Sequence, residues 1–387
     1  MSQYSFVSHR NFVPESRTAR WQSILPPLPN DDQNNSLQSV QPETDSKSFL
    51  VRCELCPHHC VLAPNQRGIC FGRQNINGIL KTFNYGYHTG LSIDPIEKKP
   101  LYHFLPNSRI LSIGTIGCNL SCRFCQNYRS SKATDFQLVF QKTAPKSLAE
   151  IALKERCPSV AFTYNEPTVW SEFVIDAALE CRNVGLKTVA VTNGMIASAA
   201  REEFYQVMDA VNIDLKGFSP EFYRHLTGGN LDDVKETIAY VAQKTEVWLE
   251  ITNLLIPGKN DDSHEIDQMT RWIADVVGTE VPLHFSAFFP TYLMTNLPKT
   301  PPEILFQARE IALKNGLKFV YCGNIIDPNG HSTFCPHCGS IIIRRNGYSN
   351  FDNRVVYETQ NPDLKQKYSV FCPDCGYGIA GFFMDKP

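Results

Sequence analysis

From Arg109 to Asn324, apolar runs of strand length alternate with amphipathic runs of helix length, and this alternation constrains the fold more than any other feature. RILSIGT is followed by SLAEIALKER, SVAFTYN by PTVWSEFVIDAALECRNVG, and KTVAVTNG by SAAREEFYQVM. AVNIDLKG then precedes NLDDVKETIAYVAQK, VWLEITNLLIP precedes DDSHEIDQMTRWIADVV, PLHFSAFFP precedes PPEILFQAREIALKNG, and KFVYCGN closes the series. A strand, a crossover helix and a second strand leave the two strands parallel, so six such units and a seventh strand predict an α/β fold. We expect a full or partial parallel (β/α) barrel over 109–324, with a doubly wound open sheet as the alternative. Pro167 stands where a first helical turn begins, and Gly185 and Gly316 stand where helices end. Barrels gather function at the C-terminal ends of their strands. The polar residues of YNEPT, VTNG, NIDLKG and PLHFS fall there.

Three flanking segments complete the expected layout. Residues 1–48 are rich in Ser, Asn, Gln and Pro without an apolar period, which predicts a disordered or loosely held arm. Arg10, Arg17 and Arg20 are scattered there as in a transit peptide, but Glu15 and the missing amphipathic pattern argue against one. Residues 49–108 form a cysteine-rich N-terminal segment, and residues 325–387 a zinc-ribbon-like C-terminal module. The balance of 37 basic and 39 acidic residues gives no whole-chain reason to expect nucleic acid or a membrane surface as partner. The N-terminus has no apolar secretory core and no run is of bilayer length, so a reducing cytoplasm is the expected location, with cysteines serving metals rather than disulfides.

The fourteen cysteines fall mostly in three sets. Cys118, Cys122 and Cys125 lie in GCNLSCRFCQN, a CxxxCxxC spacing that can wrap one side of a [4Fe–4S] cluster and leave one iron open to another ligand. A zinc knuckle would need a fourth ligand, and no Cys or His follows closely. Cys335, Cys338, Cys372 and Cys375 form two CPxCG knuckles, a zinc-ribbon pattern with glycines that let backbone amides turn toward the thiolates. Cys53, Cys56, Cys60 and Cys70 form a four-thiolate set with His58 and His59 as alternative ligands; their irregular gaps suit zinc or an auxiliary iron–sulfur cluster equally. Cys157, Cys181 and Cys322 stand alone and read as core thiols.

From Cys53 onward the chain resembles the radical S-adenosylmethionine (SAM) superfamily, in particular the AmmeMemoRadiSam-system radical SAM enzymes and, more distantly, the activases of glycyl-radical enzymes. The runs that carry the likeness are CELCPHHC, GICFGRQNINGIL, DPIEKKPLYHFLP, SIGTIGCNLSCRFCQN, YNEPT, NIDLKG, LLIPGKND, PLHFSAFFP and the two CPxCG knuckles. The resemblance implies that SAM occupies the open iron and is reductively cleaved to methionine and a 5′-deoxyadenosyl radical, which abstracts hydrogen from a substrate the sequence does not name. It implies that Glu166 meets the SAM ammonium in place of the family's glycine-glycine-glutamate motif, that Asp214 and Lys216, on one face of a strand, meet ribose and carboxylate, and that His284 contacts SAM. Asn165 and Asn193 are further candidates for that pocket, Phe124 shields the cluster or the adenine, and Gln126 and Asn127 reach toward sulfide or SAM. Lys99, Tyr102 and His103 sit in a charged and aromatic stretch expected to cover the mouth and touch substrate. By the same resemblance the partners are an electron donor such as flavodoxin or ferredoxin, and separate Memo-like and AMMECR-like proteins.

Two other functions compete. A glycyl-radical activase would carry extra cluster cysteines just after the radical loop, and none occurs between Cys125 and Cys157. A non-catalytic metal-binding adaptor would have no need of the three-cysteine loop together with Glu166, Asp214 and Lys216.

Overall fold

The computed structural model describes residues 14–25, 49–134, 136, 141–348, 350–357 and 370–383. Its centre is an eight-stranded sheet that begins at one edge with β1 (Leu91–Pro95), antiparallel to β2 (Arg109–Ile113). Parallel strands follow in chain order: β3 (Ser159–Phe162), β4 (Lys187–Thr192), β5 (Ala210–Asp214), β6 (Trp248–Leu255), β7 (Leu283–Ala287) and β8 (Val320–Gly323). Between consecutive parallel strands run α1 (Pro145–Lys154), α2 (Ser171–Asn183), α3 (Ser198–Gln206), α4 (Leu231–Lys244), α5 (Ser263–Val276) and α6 (Pro302–Lys314). This is the strand and helix order that the apolar periodicity predicts.

The strands are buried on both faces, as parallel strands under crossover helices must be. Leu111, Val160, Ala190, Val211 and Ile251 pack with α-helical residues such as Val174, Ile238 and Ile273. The alternate residues Ile110, Ala161, Val189 and Ala210 pack on the other face against Ile96, Leu101, Phe104 and Leu105. That face wraps around residues 96–105. Glu250 of β6 accepts from the backbone N–H groups of Tyr102 and His103 at 2.9 and 2.8 Å, and Asn212 of β5 donates to the carbonyl of Pro100 at 2.8 Å. Among the described residues the hydrogen-bonded order runs from β1 to β8, and no pairing joins those two edges.

Two expectations change here. The stretch containing Lys99, Tyr102 and His103 fills the inside of the curved sheet instead of covering its mouth, since Leu101, Phe104 and Leu105 are apolar and fully or nearly fully buried. Its first two residues, Asp94 and Pro95, end β1, which the charged pattern hid. The N-terminal arm is held closely over residues 14–25: Arg17–Thr18 pairs with Ile79–Thr82, and Gln22–Leu25 pairs with Leu50–Cys53. The rest of that arm, 1–13 and 26–48, lies outside the described residues.

The cysteine-rich segment adds two small antiparallel sheets against α2, tied by a buried ion pair of Arg73 with Glu172 at 2.6 Å. The C-terminal module consists of two further three-stranded sheets, joined to the centre by Arg345, which donates to the Tyr102 carbonyl at 2.8 Å. Cys157, Cys181 and Cys322 are buried thiols. No helix among the described residues is long and apolar enough to cross a membrane.

Candidate active site and metal centres

A cavity of about 300 Å³ opens at the C-terminal strand ends. Cys118, Cys122 and Cys125 of the loop after β2 line it together with Glu166 after β3, Asn193 after β4, Asp214 and Lys216 of and after β5, and His284 of β7. Phe124, Gln126, Asn127 and Asn165 share the wall, so every residue the sequence nominated for the cluster and SAM pocket reaches one space. Tyr102 also reaches it, whereas Lys99 and His103 do not. Lys99 is consumed by Asp94 at 2.7 Å, and His103 by Tyr321 and the Ala380 carbonyl, each at 2.6 Å.

The cysteine loop is fixed by the protein on all sides. Asn165 accepts from Thr115 N–H and donates to the Gly117 carbonyl, both at 2.9 Å, so its amide braces the approach to Cys118. Asn193 donates to Asn119 at 2.9 Å and to the Cys118 sulfur at 3.7 Å. Ser121 and Arg123 donate backbone bonds to Thr227 and Leu226, and Lys132 caps the Leu120 carbonyl. Burial pushes the Cys118 thiol up to about 12, with the neighbouring Glu166 adding to the rise; it also raises Cys122, against the pull of Lys216 and Lys132. Desolvated thiols of this kind become thiolates when a metal supplies the compensating charge. The site therefore suits a cation-rich cluster on chemical grounds.

Glu166 is buried and its two oxygens accept from Thr168 N–H at 3.0 Å, Thr192 Oγ at 2.6 Å and Asn193 N–H at 2.8 Å. Burial raises its pKa and these bonds moderate the rise. A carboxylate has about four acceptor sites, so roughly one remains for a donor in the cavity. Lys216 pairs with Asp214 at 2.7 Å. Burial opposes its charge, but Asp214 and Cys122 hold the ammonium protonated above its usual range.

The sequence reading missed Glu250. It is fully buried and accepts from His284 Nε2 at 2.6 Å and Trp248 Nε1 at 3.0 Å as well as from the backbone of Tyr102 and His103. Burial would raise its pKa, but His284 foremost among these partners takes it below the usual value. Glu250 thus fixes the His284 ring, which also stacks on Tyr321. An acidic residue inside the apolar run VWLEITN, on the inward side of Leu249 and Ile251, was the available signal. Tyr348 of the C-terminal module also lines the cavity, which no local pattern announced.

The C-terminal cysteines converge. The ligand atoms of Cys335, Cys338, Cys372 and Cys375 all lie within 4.8 Å of one another, with sulfur pairs at 3.6 and 3.7 Å. A tetrahedral ion with metal–sulfur bonds of about 2.3 Å sets its sulfurs about 3.8 Å apart, so the set fits one zinc. Hydrogen bonds from Ser340 draw the exposed Cys338 thiol down to about 6. Among the described residues no other three Cys, His, Asp or Glu come this close. The radical loop and the N-terminal set both hold their thiols further apart.

Residues 112–272 match the family described as the Radical SAM superfamily. The uncharacterized protein MJ0808 of Methanocaldococcus jannaschii is 40% identical over 322 residues, covering 83% of this chain and 93% of that protein. The chain belongs to the radical SAM superfamily. It is also similar to a probable GTP 3′,8-cyclase of Methanosarcina mazei, at 24% identity over 59% of this chain and 72% of that one. The pyruvate formate-lyase 1-activating enzyme of Escherichia coli K12 is 26% identical over 43% of this chain and 71% of its own length.

Proposed function

We propose that this chain is a radical SAM enzyme of the AmmeMemoRadiSam type, in which Cys118, Cys122 and Cys125 hold a [4Fe–4S] cluster and the adjoining cavity holds SAM. The observation that carries the reading is the convergence of the three loop thiols with Glu166, Asp214, Lys216 and His284 on one cavity. When bound, cluster and SAM together supply a 5′-deoxyadenosyl radical that takes hydrogen from the substrate. The chain's own residues bind and orient. Glu166 offers its remaining acceptor to an ammonium, Lys216 offers donors to a carboxylate, and Asp214 accepts from ribose hydroxyls. Asn165 and Asn193 hold the cluster loop in place, and Glu250 keeps His284 in one orientation. Tyr102 and the apolar stretch beneath it exclude water from the inner end of the cavity.

The substrate is unassigned. An electron donor of the flavodoxin or ferredoxin kind, Memo-like and AMMECR-like partners and a cytoplasmic location belong to the same reading. The test is direct: anaerobically reconstituted protein, reduced with dithionite and given SAM, should release 5′-deoxyadenosine, and Cys122→Ala should reduce release to background. Iron-loaded native protein that releases none would overturn the proposal.

A further inference from the structure

We infer that Cys53, Cys56, Cys60 and Cys70 hold a second iron–sulfur cluster, packed directly against the backbone that carries Cys118. The four thiols line one void, which Asn119 and Thr168 also line. Those two residues neighbour Cys118 and Glu166 in sequence, so the void and the radical loop share a wall. Gly117 shows how thin that wall is: its φ is +86°, and a Cβ there would lie 2.1 Å from the Cys70 carbonyl oxygen. His58, between two of the cysteines, donates through Nε2 to the Asn119 carbonyl at 2.7 Å, so its ring serves the loop and the thiols remain the ligands.

A second, independent observation points to a bound anion in this void. Arg73 lines it, is 1% exposed, and uses Nη2 to bind Glu172. Among the described residues its Nε and Nη1 have no hydrogen-bond partner. Buried donors are seldom left unpaired, and a buried guanidinium needs more than one carboxylate oxygen to satisfy it. A cluster held by four thiolates is anionic and presents sulfides as acceptors, which answers both needs.

Iron and sulfide fit better than zinc because of spacing. The C-terminal four bring every sulfur within single-ion range, whereas no three of the N-terminal four do so. In sequence Cys53–Cys56 is the set's one CxxC pair and Cys70 stands apart beyond a single long gap, where structural zinc sites use two paired knuckles. Four thiolates complete the coordination, and none of the four lines the cavity. The second cluster is therefore a closed centre that supports the radical loop, not a substrate ligand; the adjacency to a radical cluster rests on the function proposed above.

The experiment is iron, sulfide and zinc analysis of the anaerobically purified full chain and of its Cys118→Ala/Cys122→Ala/Cys125→Ala variant. The native chain should carry about one zinc and more than about four iron with matching sulfide. The triple variant should keep roughly half of that iron, an equal amount of sulfide and an electron paramagnetic resonance signal on reduction. A second variant, Cys53→Ala/Cys56→Ala, should keep the complementary half. A triple variant without iron, or a native chain with about two zinc, overturns the inference. If the second variant does not fold, the first and the native counts still decide. A triple variant that retains iron while the native chain makes no 5′-deoxyadenosine would refute the proposed function and leave this site standing.

Discussion

The C-terminal zinc ribbon and the radical loop hold cysteines by opposite means. In the ribbon, Cys335–Cys338 and Cys372–Cys375 sit in turns that end on Gly339 and Gly376 at positive φ, flanked by strands of two to six residues. So little secondary structure has a small core, and a zinc ion at the four thiols would organise the piece. In the radical loop the thiols are farther apart, and Asn165, Asn193, Thr227 and Lys132 position the backbone between them. There the protein itself shapes the loop that the proposed cluster would enter. One set would thus take its metal as part of the fold and the other as part of the chemistry.

The contrast is breakable. Cys372→Ala should release zinc and remove on the order of 10 kcal/mol of apparent folding energy from the ribbon, while iron at the radical loop persists. Zinc analysis with limited proteolysis checks this, and a ribbon that stays intact without zinc would erase the difference. Gly117→Ala should act on the other side: the left-handed backbone and the Cys70 carbonyl together cost on the order of 3 kcal/mol, with loss of loop iron and zinc retained. Chemical denaturation and metal counts follow both.

A third measurement concerns the contact between the central sheet and the C-terminal module. Burial lowers His103 to about 4, and its ring joins Tyr321 to the Ala380 carbonyl. The unfolded chain protonates this residue near 6.5, so its stabilising contribution is full above that pH and declines as pH falls toward the folded value. About 2 kcal/mol should be lost between pH 7 and pH 5, read from urea midpoints, and His103→Gln should remove that part of the slope. The smallest effect belongs to the exposed Arg354–Asp374 pair at 2.9 Å. Arg354→Ala should leave zinc content unchanged and shift stability by no more than about 0.5 kcal/mol. A larger loss would show that surface charge, not the ion, holds the ribbon.

The strand and helix order and the cysteine sets were legible in the sequence because both are local: periodicity and short spacing encode them within a few residues. The cavity wall was largely legible for a related reason, since side chains after consecutive parallel strands must meet at one end of the sheet. What stayed hidden depends on distant partners. Glu250 looked like one more strand residue until Tyr102, 148 positions earlier, supplied its donor. His103 and Lys99 suggested substrate contacts by their chemistry, but apolar neighbours at 101, 104 and 105 drew the whole stretch inside. Arg73 gave no sign of its place among thiols, because its carboxylate partner lies 99 residues away. The sequence left a full barrel, a partial barrel and an open sheet as alternatives for the same kind of reason, since closure depends on whether two distant edges pair.

Residues 103–105 meet the far end of the chain: Phe382 N–H donates to the His103 carbonyl and Leu105 N–H to the Phe382 carbonyl, each at 2.7 Å, and the rings of Phe104 and Phe382 stack. During synthesis the interior stretch must therefore wait until Phe382 has been made before its contacts are complete. Contacts this remote in sequence slow folding. Until then a nascent chain would hold the strand residues Ile110, Ala161, Val189 and Ala210 under a plug whose last contact is still missing.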